Sequence, residues 1–457
     1  FKEGAPDQPP TNWQSKFGGS AWEYVSSLGK WYLHLFDVTQ ADLNWKNPEV
    51  REELKEVIRF WKAKGVKGFR FDVVNLISKP EIWEDDFEGD GRKFYTDGPY
   101  VHEYLKELVR DTGIEDYVTV GEMSSTTLEH CIRYSGAEEK ELSMCFNFHH
   151  LKVDYKDGNK WELMEPDYME LKVIFEKWQM GMQRGNAWNA LFWCNHDQPR
   201  IVSRFGNEGE YWKESAKMLA GMIHLMRGTP YIYQGEEIGM TNPHYTSIEQ
   251  YADVESRNYY EILLNEGKTK EEALEILAAR SRDNSRTPMQ WTDERYCGFS
   301  DTKPWIPVSD NFEKINVKKQ KQDRDSILEF YKKLIMLRKE KEVIARGNIE
   351  FMEVENAGVL AYTRCLDKQK LLVCCNFRDV ESQMEFTQAF KQIDSGAGPD
   401  LYVPNYMSFN NDNIYLGSYN GLRFKLSPNV EEATILAEYW FGPLCYEKSE
   451  MDGQETY

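Results

Sequence analysis

Runs of apolar residues without polar alternation recur after residue 40 and alternate with segments of helical periodicity. Unbroken runs of this length are typical of strands in a parallel sheet that is buried on both faces. The strand-like runs are 65–75, 117–125, 143–150, 190–200 and 229–237, and the helical segments are 48–65, 98–113, 168–185, 211–228, 269–284 and 326–347. This order predicts βαβ units with right-handed crossovers.

Three of the strand-like runs end in an acid: GVKGFRFDVVN in Asp72, YVTVGEMSS in Glu122 and ALFWCNHDQPR in Asp197. Acids at the carboxyl ends of parallel strands lie at one rim of the sheet, where β/α barrels place their active sites. Paired carboxylates at such a rim suit the cleavage of glycosidic bonds. The pattern therefore predicts a carbohydrate-cleaving site built from these three side chains.

Composition restricts the class of partner. The 457 residues are 41% hydrophobic and 14% aromatic, enough for a large packed core. With 56 Lys and Arg against 76 Asp and Glu, the net charge is 56 − 76 = −20. This balance argues against nucleic acid or an anionic membrane surface as a partner. An anionic substrate would need a local basic pocket.

The eight cysteines show neither CxxC nor Cys/His metal spacing, so we expect reduced thiols, no metal and no cofactor. No window approaches the ~20 apolar residues of a membrane span, and no signal peptide opens the chain. We therefore expect a cytoplasmic monomer.

Composition also suggests domain boundaries. Residues 1–40 form a loop-rich segment, 41–346 a catalytic unit with an irregular insertion at 240–325, and 347–457 a small antiparallel β domain.

Several motifs resemble those of one known family. GFRFDVVN, VGEM, NHDQPR, GTPYIYQGEEIGMTN and RDNSRTPMQW are similar to segments of the α-amylase superfamily, in its α-glucosidase and oligo-1,6-glucosidase branch. FNFHHLKVDYKDGNKW and WNALFWCNHDQPRIVSRFG resemble the trehalose-6-phosphate hydrolases of that branch. The resemblance implies a (β/α)₈ TIM barrel, with residues 1–40 ending an inserted loop domain and a β domain at the carboxyl end.

The resemblance also implies roles for the acids. Asp72 would be the nucleophile, Glu122 the general acid/base, and Asp197 the carboxylate that holds sugar hydroxyls and stabilises the transition state. The reaction would then retain the anomeric configuration, with the Asp72 and Glu122 carboxyls ~5–5.5 Å apart.

Further residues would support these acids. Arg70 lies two positions before Asp72 and therefore on the same strand face, where a cation lowers a carboxylate pKa by ~1–3 units. His196 and Arg286 resemble the family's contacts to the non-reducing sugar.

The substrate is suggested by Lys152 and Lys160, which flank a KDGN turn after the predicted strand 143–150. In the resembled phosphate-using hydrolases, lysines of this segment hold the 6-phosphate of the departing glucose, and lysine is a competent partner for that dianion. Spacing alone favours a solvated hairpin whose lysines maintain solubility, and only the resemblance reverses this preference.

Other readings remain open. An oligo-1,6-glucosidase would share the chemistry but take isomaltose-type sugars, and a non-catalytic relative partnering a membrane transporter would need an anchor. The family's first three barrel strands have no counterpart in this sequence. We therefore expect an amino-terminally incomplete barrel, which is part of a longer product, pairs with another segment, or is an inactive truncated homologue.

Overall fold

The computed structural model describes residues 1–352, 358–367, 369–377, 382–386, 400–403, 407–410, 413–416 and 422–426. The chain divides into two compact units. The first contains residues 1–204, 227–236 and 240–316, and the second contains 205–226, 237–239 and 317–457. The boundaries predicted at residues 40 and 346 stay predictions.

The first unit begins with a small antiparallel sheet in the order β1–β3–β2. Its strands are β1 Lys2–Glu3, β2 Trp22–Val25 and β3 Lys30–Leu33. Trp13, Trp22 and Trp31 are buried beneath this sheet and form its core with Tyr95. Large aromatic side chains of this kind let a short, loop-rich segment bury substantial apolar area.

Parallel strands form the frame of the candidate site. One sheet has the order β4–β5–β6, and a second pairs β7 with β8. An isolated parallel bridge joins Cys145 to Asn189 between the two sheets. The strands are β4 Gly68–Phe71, β5 Val118–Glu122, β6 Met144–Phe146, β7 Ala190–Leu191 and β8 Thr229–Pro230. The predicted parallel arrangement is confirmed.

Helices follow the strands. In this unit they are α1 Pro48–Ala63, α2 Arg92–Tyr95, α3 Val101–Thr112, α4 Leu128–Ser135, α5 Tyr168–Arg184, α8 Val254–Asn265 and α9 Lys270–Arg280. The periodicity predicted α1, α3, α5 and α9 but not α2, α4 and α8. Asn47 caps α1 by accepting a hydrogen bond from the backbone N–H of Glu49 at 3.0 Å, with Pro48 as the first helical residue. Thr269 and Glu272 form a capping box that begins α9.

All five predicted strands are shorter than expected, and three of them markedly so. The run 190–200 is a strand only over β7, so Asp197 lies six residues beyond the end of that strand. The run 143–150 is a strand only over β6, and His149–Leu151 forms a 3₁₀ turn instead. His150 Nε2 lies 2.9 Å from the backbone oxygen of Phe192, which holds the chain in this turn. The run 229–237 is a strand only over β8, because Pro230 lacks an N–H and Gly235 adopts φ +86°.

The second unit combines helices with antiparallel strands. Its helices are α7 Trp212–His224, α10 Val317–Gln320, α11 Ile327–Glu340 and α12 Glu342–Arg346, and α6 Ile201–Phe205 precedes them across the unit boundary. Strands β9 Asn348–Phe351, β10 Val359–Leu366 and β11 Gln369–Asn376 form one antiparallel sheet in the order β11–β10–β9. The buried Arg364 donates to the backbone oxygens of Leu225 and Gly347, both at 2.6 Å.

Shorter strands complete the described residues of this unit. They are β12 Ser382–Phe386, β13 Asp400–Val403, β14 Met407–Asn410, β15 Asn413–Leu416 and β16 Leu422–Leu426. Residues 427–457 of the predicted β domain lie outside the described residues.

Seven of the eight cysteines carry free thiols, and Cys445 lies outside the described residues. Within the described ranges, no group of three or more His, Cys, Asp or Glu side chains could hold a metal ion. No helix among these residues combines the length and the apolar character that a membrane crossing requires.

Candidate active site

Asp72 and Glu122 both contact the guanidinium of Arg70. Arg70 Nη1 lies 2.5 Å from Asp72 Oδ1, and its Nη2 forms an ion pair with Glu122 Oε2. The register of β4 and β5 explains this contact, since Arg70 pairs with Val120 and Glu122 lies two residues further along β5. The Asp72 side chain is 70% exposed and that of Glu122 only 10%. One carboxylate therefore faces solvent, and the other is enclosed.

The chain turns sharply directly after Asp72. Val73 adopts the left-handed conformation with φ 36° and ψ 40°, and a 3₁₀ turn follows at Val74–Leu76. A β-branched residue is disfavoured in this region, so the conformation is strained. The turn ends β4 at the rim and leaves the Asp72 carboxylate exposed there.

Asp197 is surrounded by cations. Its Oδ1 lies 2.6 Å from Arg286 Nη2 and 3.3 Å from Arg282 Nη1, and its Oδ2 lies 3.2 Å from His196 Nε2. Burial alone would raise the pKa of Asp197. The His196 hydrogen bond and the charges of His196, Arg282 and Arg286 outweigh burial and hold this pKa well below its usual range. Asp197 is therefore a fixed negative charge.

Arg282 is a site residue that the sequence analysis missed. It pairs with Asp197, with Asp253 and, at 3.3 Å, with Glu255 Oε2. It lies four positions before Arg286 in the RDNSRTPMQW motif, at the start of a 3₁₀ turn that brings both arginines to Asp197. That spacing within a recognised motif is the signal that could have found it.

The segment Lys16–Phe17 contacts residues near both Glu122 and Asp197. Lys16 Nζ donates to Ser124 Oγ at 3.1 Å, two residues after Glu122. The Phe17 ring lies 4.6 Å from the guanidinium carbon of Arg282. These contacts link the surroundings of Glu122 and of Asp197 through one short segment.

The family can now be stated. Residues 2–347 match the model of the alpha amylase catalytic domain. The chain belongs to the α-amylase family. The predicted TIM-barrel fold with a carboxyl-terminal antiparallel sheet is therefore confirmed, as is the predicted glycoside hydrolase class.

This chain is closely similar to individual members of the α-amylase family. The chain is 55% identical to the trehalose-6-phosphate hydrolase of Escherichia coli, over 82% of this chain and 68% of that protein. It is 43% identical to an oligo-1,6-glucosidase of Bacillus cereus, over 93% and 77% of the respective chains. The crystal structure of trehalose-6-phosphate hydrolase from Bacillus licheniformis superimposes with a TM-score of 0.82 at 50% identity, covering 93% of this chain and 75% of that one.

The two lysines predicted to bind phosphate have different surroundings. Lys160 Nζ lies 2.8 Å from Glu255 Oε2, and its side chain is 19% exposed. It also lies 4.6 Å from the centre of the Trp161 ring. Glu255 contacts Arg282 as well, so Lys160 belongs to the ion-pair network around Asp197.

Lys152 follows the 3₁₀ turn at His149–Leu151 and is exposed. Loss of hydration, followed by the positive charge of Arg92, lowers the pKa of Lys152. Among the described residues it has no carboxylate within ion-pair distance. Lys160 thus pairs with a carboxylate, whereas the positive charge of Arg92 acts on Lys152.

Proposed function

We propose that this chain is a retaining α-glucosidase that hydrolyses trehalose 6-phosphate to glucose and glucose 6-phosphate. The observation that carries the proposal is the contact of both Asp72 and Glu122 with Arg70 at the rim of the parallel sheet. The proposal is supported by the match to the α-amylase family and by the ion pair between Asp197 and Arg286. It is also supported by 55% identity to a trehalose-6-phosphate hydrolase.

In the first step, a carboxylate oxygen of Asp72 attacks the anomeric carbon of the non-phosphorylated glucose. The bond from that carbon to the bridging oxygen breaks, and Glu122 in its protonated form delivers its proton to that oxygen. Glucose 6-phosphate leaves, and a glucosyl ester of Asp72 remains. The leaving group therefore lies on the Glu122 side of the bond.

In the second step, Glu122 accepts a proton from water, and the water oxygen attacks the anomeric carbon. The ester bond to Asp72 breaks, and glucose departs with the α configuration retained. Two inversions at the same carbon explain the retention.

The cations support the roles of Asp72 and Asp197. Arg70 stabilises the negative charge of Asp72 through direct contact, which keeps a nucleophile available. Asp197 accepts hydrogen bonds from sugar hydroxyls and stabilises positive charge at the anomeric carbon. Arg286 and His196 hold Asp197 in place and reach the same sugar.

Lys152 and Lys160 are proposed contacts of the 6-phosphate. Lys152 lacks a carboxylate partner among the described residues, so its charge is available to a dianion. Lys160 is already paired with Glu255. We therefore expect the substitution Lys152→Met to raise KM for trehalose 6-phosphate more than Lys160→Met does.

Product analysis tests the proposal. The purified chain is given trehalose 6-phosphate, trehalose and isomaltose, and proton NMR follows the anomer of the glucose released first. We expect turnover of the phosphorylated sugar, α-glucose as the initial product, and loss of turnover in Asp72→Asn. Absence of turnover of trehalose 6-phosphate, or initial release of β-glucose, would contradict the proposal.

An oligo-1,6-glucosidase is the second candidate, favoured by the 43% identity to that enzyme from Bacillus cereus. The same assay separates the two, since that enzyme would turn over isomaltose better than trehalose 6-phosphate.

A reducing, cytoplasmic location is supported by the seven free thiols. The monomeric state stays a prediction.

A further inference from the structure

The carboxylate of Asp97, between α2 and α3, accepts hydrogen bonds from three separate segments of the first unit. Its Oδ1 accepts from the Tyr134 hydroxyl at 2.7 Å and from Asn75 Nδ2 at 3.1 Å, and its Oδ2 accepts from Thr126 Oγ1 at 2.9 Å. All three donors are buried. Because both oxygens of a carboxylate accept hydrogen bonds, one side chain can serve all three donors at once.

Two of these segments follow the proposed catalytic acids. Asn75 lies three residues after Asp72, and Thr126 lies four residues after Glu122. The Asn75 amide also bonds the backbone of Ser124, two residues after Glu122. Asp97 therefore joins the turn after one acid to the loop after the other.

The backbone is strained in each of these segments. Val73, Asp97 and Ser125 adopt φ values of 36°, 50° and 55°, in the left-handed region that residues other than glycine rarely occupy. Such conformations are unfavourable and persist only where surrounding contacts fix them. The hydrogen bonds to Asp97 and Asn75 are contacts of that kind, and they meet beside the two acids.

The backbone of Asp97 is fixed as well as its side chain. Its N–H donates to the Asn75 carbonyl at 2.9 Å. The next residue, Gly98, lies so close to the Ser78 carbonyl that any side chain there would collide with it. Asp97 thus reaches Thr126 from a backbone that is anchored to the turn after Asp72.

The position of Glu122 matters for both steps of the reaction. A general acid must lie within hydrogen-bond reach of the oxygen that it protonates, and retention requires a short distance between the two carboxyls. Glu122 is the last residue of β5, so its position depends on the loop that follows as well as on the strand. A displacement of that loop therefore impairs proton transfer.

We propose that Asp97 is a positioning residue that holds Glu122 where proton transfer to the leaving oxygen requires it. This inference rests on the proposed function, in which Glu122 is the general acid/base, and it applies to either candidate substrate. Asp97 acts through Asn75 and Thr126 and not on the sugar itself.

The variant Asp97→Asn tests the inference through its dependence on the leaving group. The amide places an NH₂ group where one acceptor oxygen was, so one of the three donors loses its partner. Hydrolysis of a disaccharide needs Glu122 as acid in the first step and as base in the second. The disaccharide used is trehalose 6-phosphate or isomaltose, whichever the native chain hydrolyses.

A second reaction bypasses Glu122. Fluoride leaves α-glucosyl fluoride without needing a proton from the enzyme. Azide then attacks the anomeric carbon without needing a base, the ester bond to Asp72 breaks, and glucosyl azide forms. We expect Asp97→Asn to lower kcat for the disaccharide by about tenfold or more, and kcat for the fluoride with azide by less than about threefold.

Matched variants separate the hydrogen bond from packing. Thr126→Val keeps the shape of the side chain but removes the hydroxyl that donates to Asp97, whereas Thr126→Ser keeps that hydroxyl. Thr126→Val should reproduce the selective loss, and Thr126→Ser should show a smaller one. Asp37→Asn is the control for Asp97→Asn, since Asp37 accepts from Thr39 within its own turn and should leave both rates unchanged.

Hydrogen exchange measures the same effect without requiring turnover. The Ser124 N–H donates to Asn75 Oδ1 at 2.9 Å, so it should exchange faster when Asp97 no longer orients that amide. We expect Asp97→Asn to speed exchange at Ser124 by about tenfold and to leave the amide of Phe175, in α5, unchanged. A purely stabilising role would speed exchange at both positions.

Three results would overturn the inference. They are an equal fall in kcat for the disaccharide and for the fluoride with azide, an unchanged kcat for both, and an unchanged exchange rate at Ser124. The proposed function fails through different results, namely absence of trehalose 6-phosphate turnover or initial release of β-glucose. The exchange measurement decides the role of Asp97 in either case.

Discussion

The side-chain amide of Asn75 holds both backbone polar groups of Ser124. Asn75 Nδ2 donates to the Ser124 oxygen at 2.8 Å, and Asn75 Oδ1 accepts from the Ser124 N–H at 2.9 Å. Asp97 orients this amide by accepting from Asn75 Nδ2 at 3.1 Å. Asn75 follows Asp72 by three residues and Ser124 follows Glu122 by two, so one buried amide joins the turns that carry both acids.

Substitution of Asn75 should therefore impair catalysis and stability together. Asn75→Ala leaves two buried backbone groups without partners, which costs about 1–3 kcal/mol of unfolding free energy. Misplacement of the turn after Glu122 should lower kcat by about tenfold or more while KM changes less. Urea denaturation and steady-state kinetics measure both effects.

Asn159→Ala provides the control for Asn75→Ala. Asn159 is exposed and accepts a single hydrogen bond from the Trp161 N–H at 3.0 Å. We expect a small change in stability and no change in kcat. Equal effects of the two substitutions would contradict a positioning role for Asn75.

Much of this arrangement was predictable from the sequence, because the acids terminate apolar runs. Arg70, Asp72 and Glu122 lie on adjacent strands whose register follows from the alternation of side chains. The family motifs also indicated His196 and Arg286. Local pattern and parallel topology together place Arg70 beside Asp72 and Glu122, whereas the roles of the site residues stay predictions.

Other parts depend on contacts that no local pattern records. Arg282 and Lys16 act through residues 29 to 108 positions away, across irregular segments. The 3₁₀ turn at His149–Leu151 depends on a hydrogen bond to Phe192, 42 residues away. Phe146 and Phe148 continue the strand-like pattern up to that turn, so the sequence alone indicated a longer strand.

Removal of Arg282 should destabilise the first unit. The side chains of Asp253 and Glu255 are buried and pair with Arg282, so Arg282→Gln leaves them partly uncompensated. Loss of one partner of a buried ion pair costs about 3 kcal/mol or more. Arg295→Gln is the matched control, since Arg295 is exposed and its contacts are with the Tyr296 hydroxyl and ring. This substitution should change stability by no more than about 0.5 kcal/mol. Urea denaturation of both variants measures the difference, and equal midpoints would contradict the network.

The low pKa of Asp197 predicts how stability depends on pH. Below the unfolded-state pKa of about 3.9, the unfolded chain binds a proton at this site while the folded chain does not. The contribution of the ionised Asp197 to the free energy of unfolding is therefore complete above that pH. It declines as the pH falls towards the pKa of Asp197 in the folded state.

Denaturation between pH 3 and pH 7 measures this dependence in the native chain and in Asp197→Asn. We expect the stability difference between the two to be largest near pH 7 and to shrink below about pH 4. Asp301→Asn, at an exposed position, should show no such trend. A difference that stays constant across this range would show that the cations do not stabilise the ionised form.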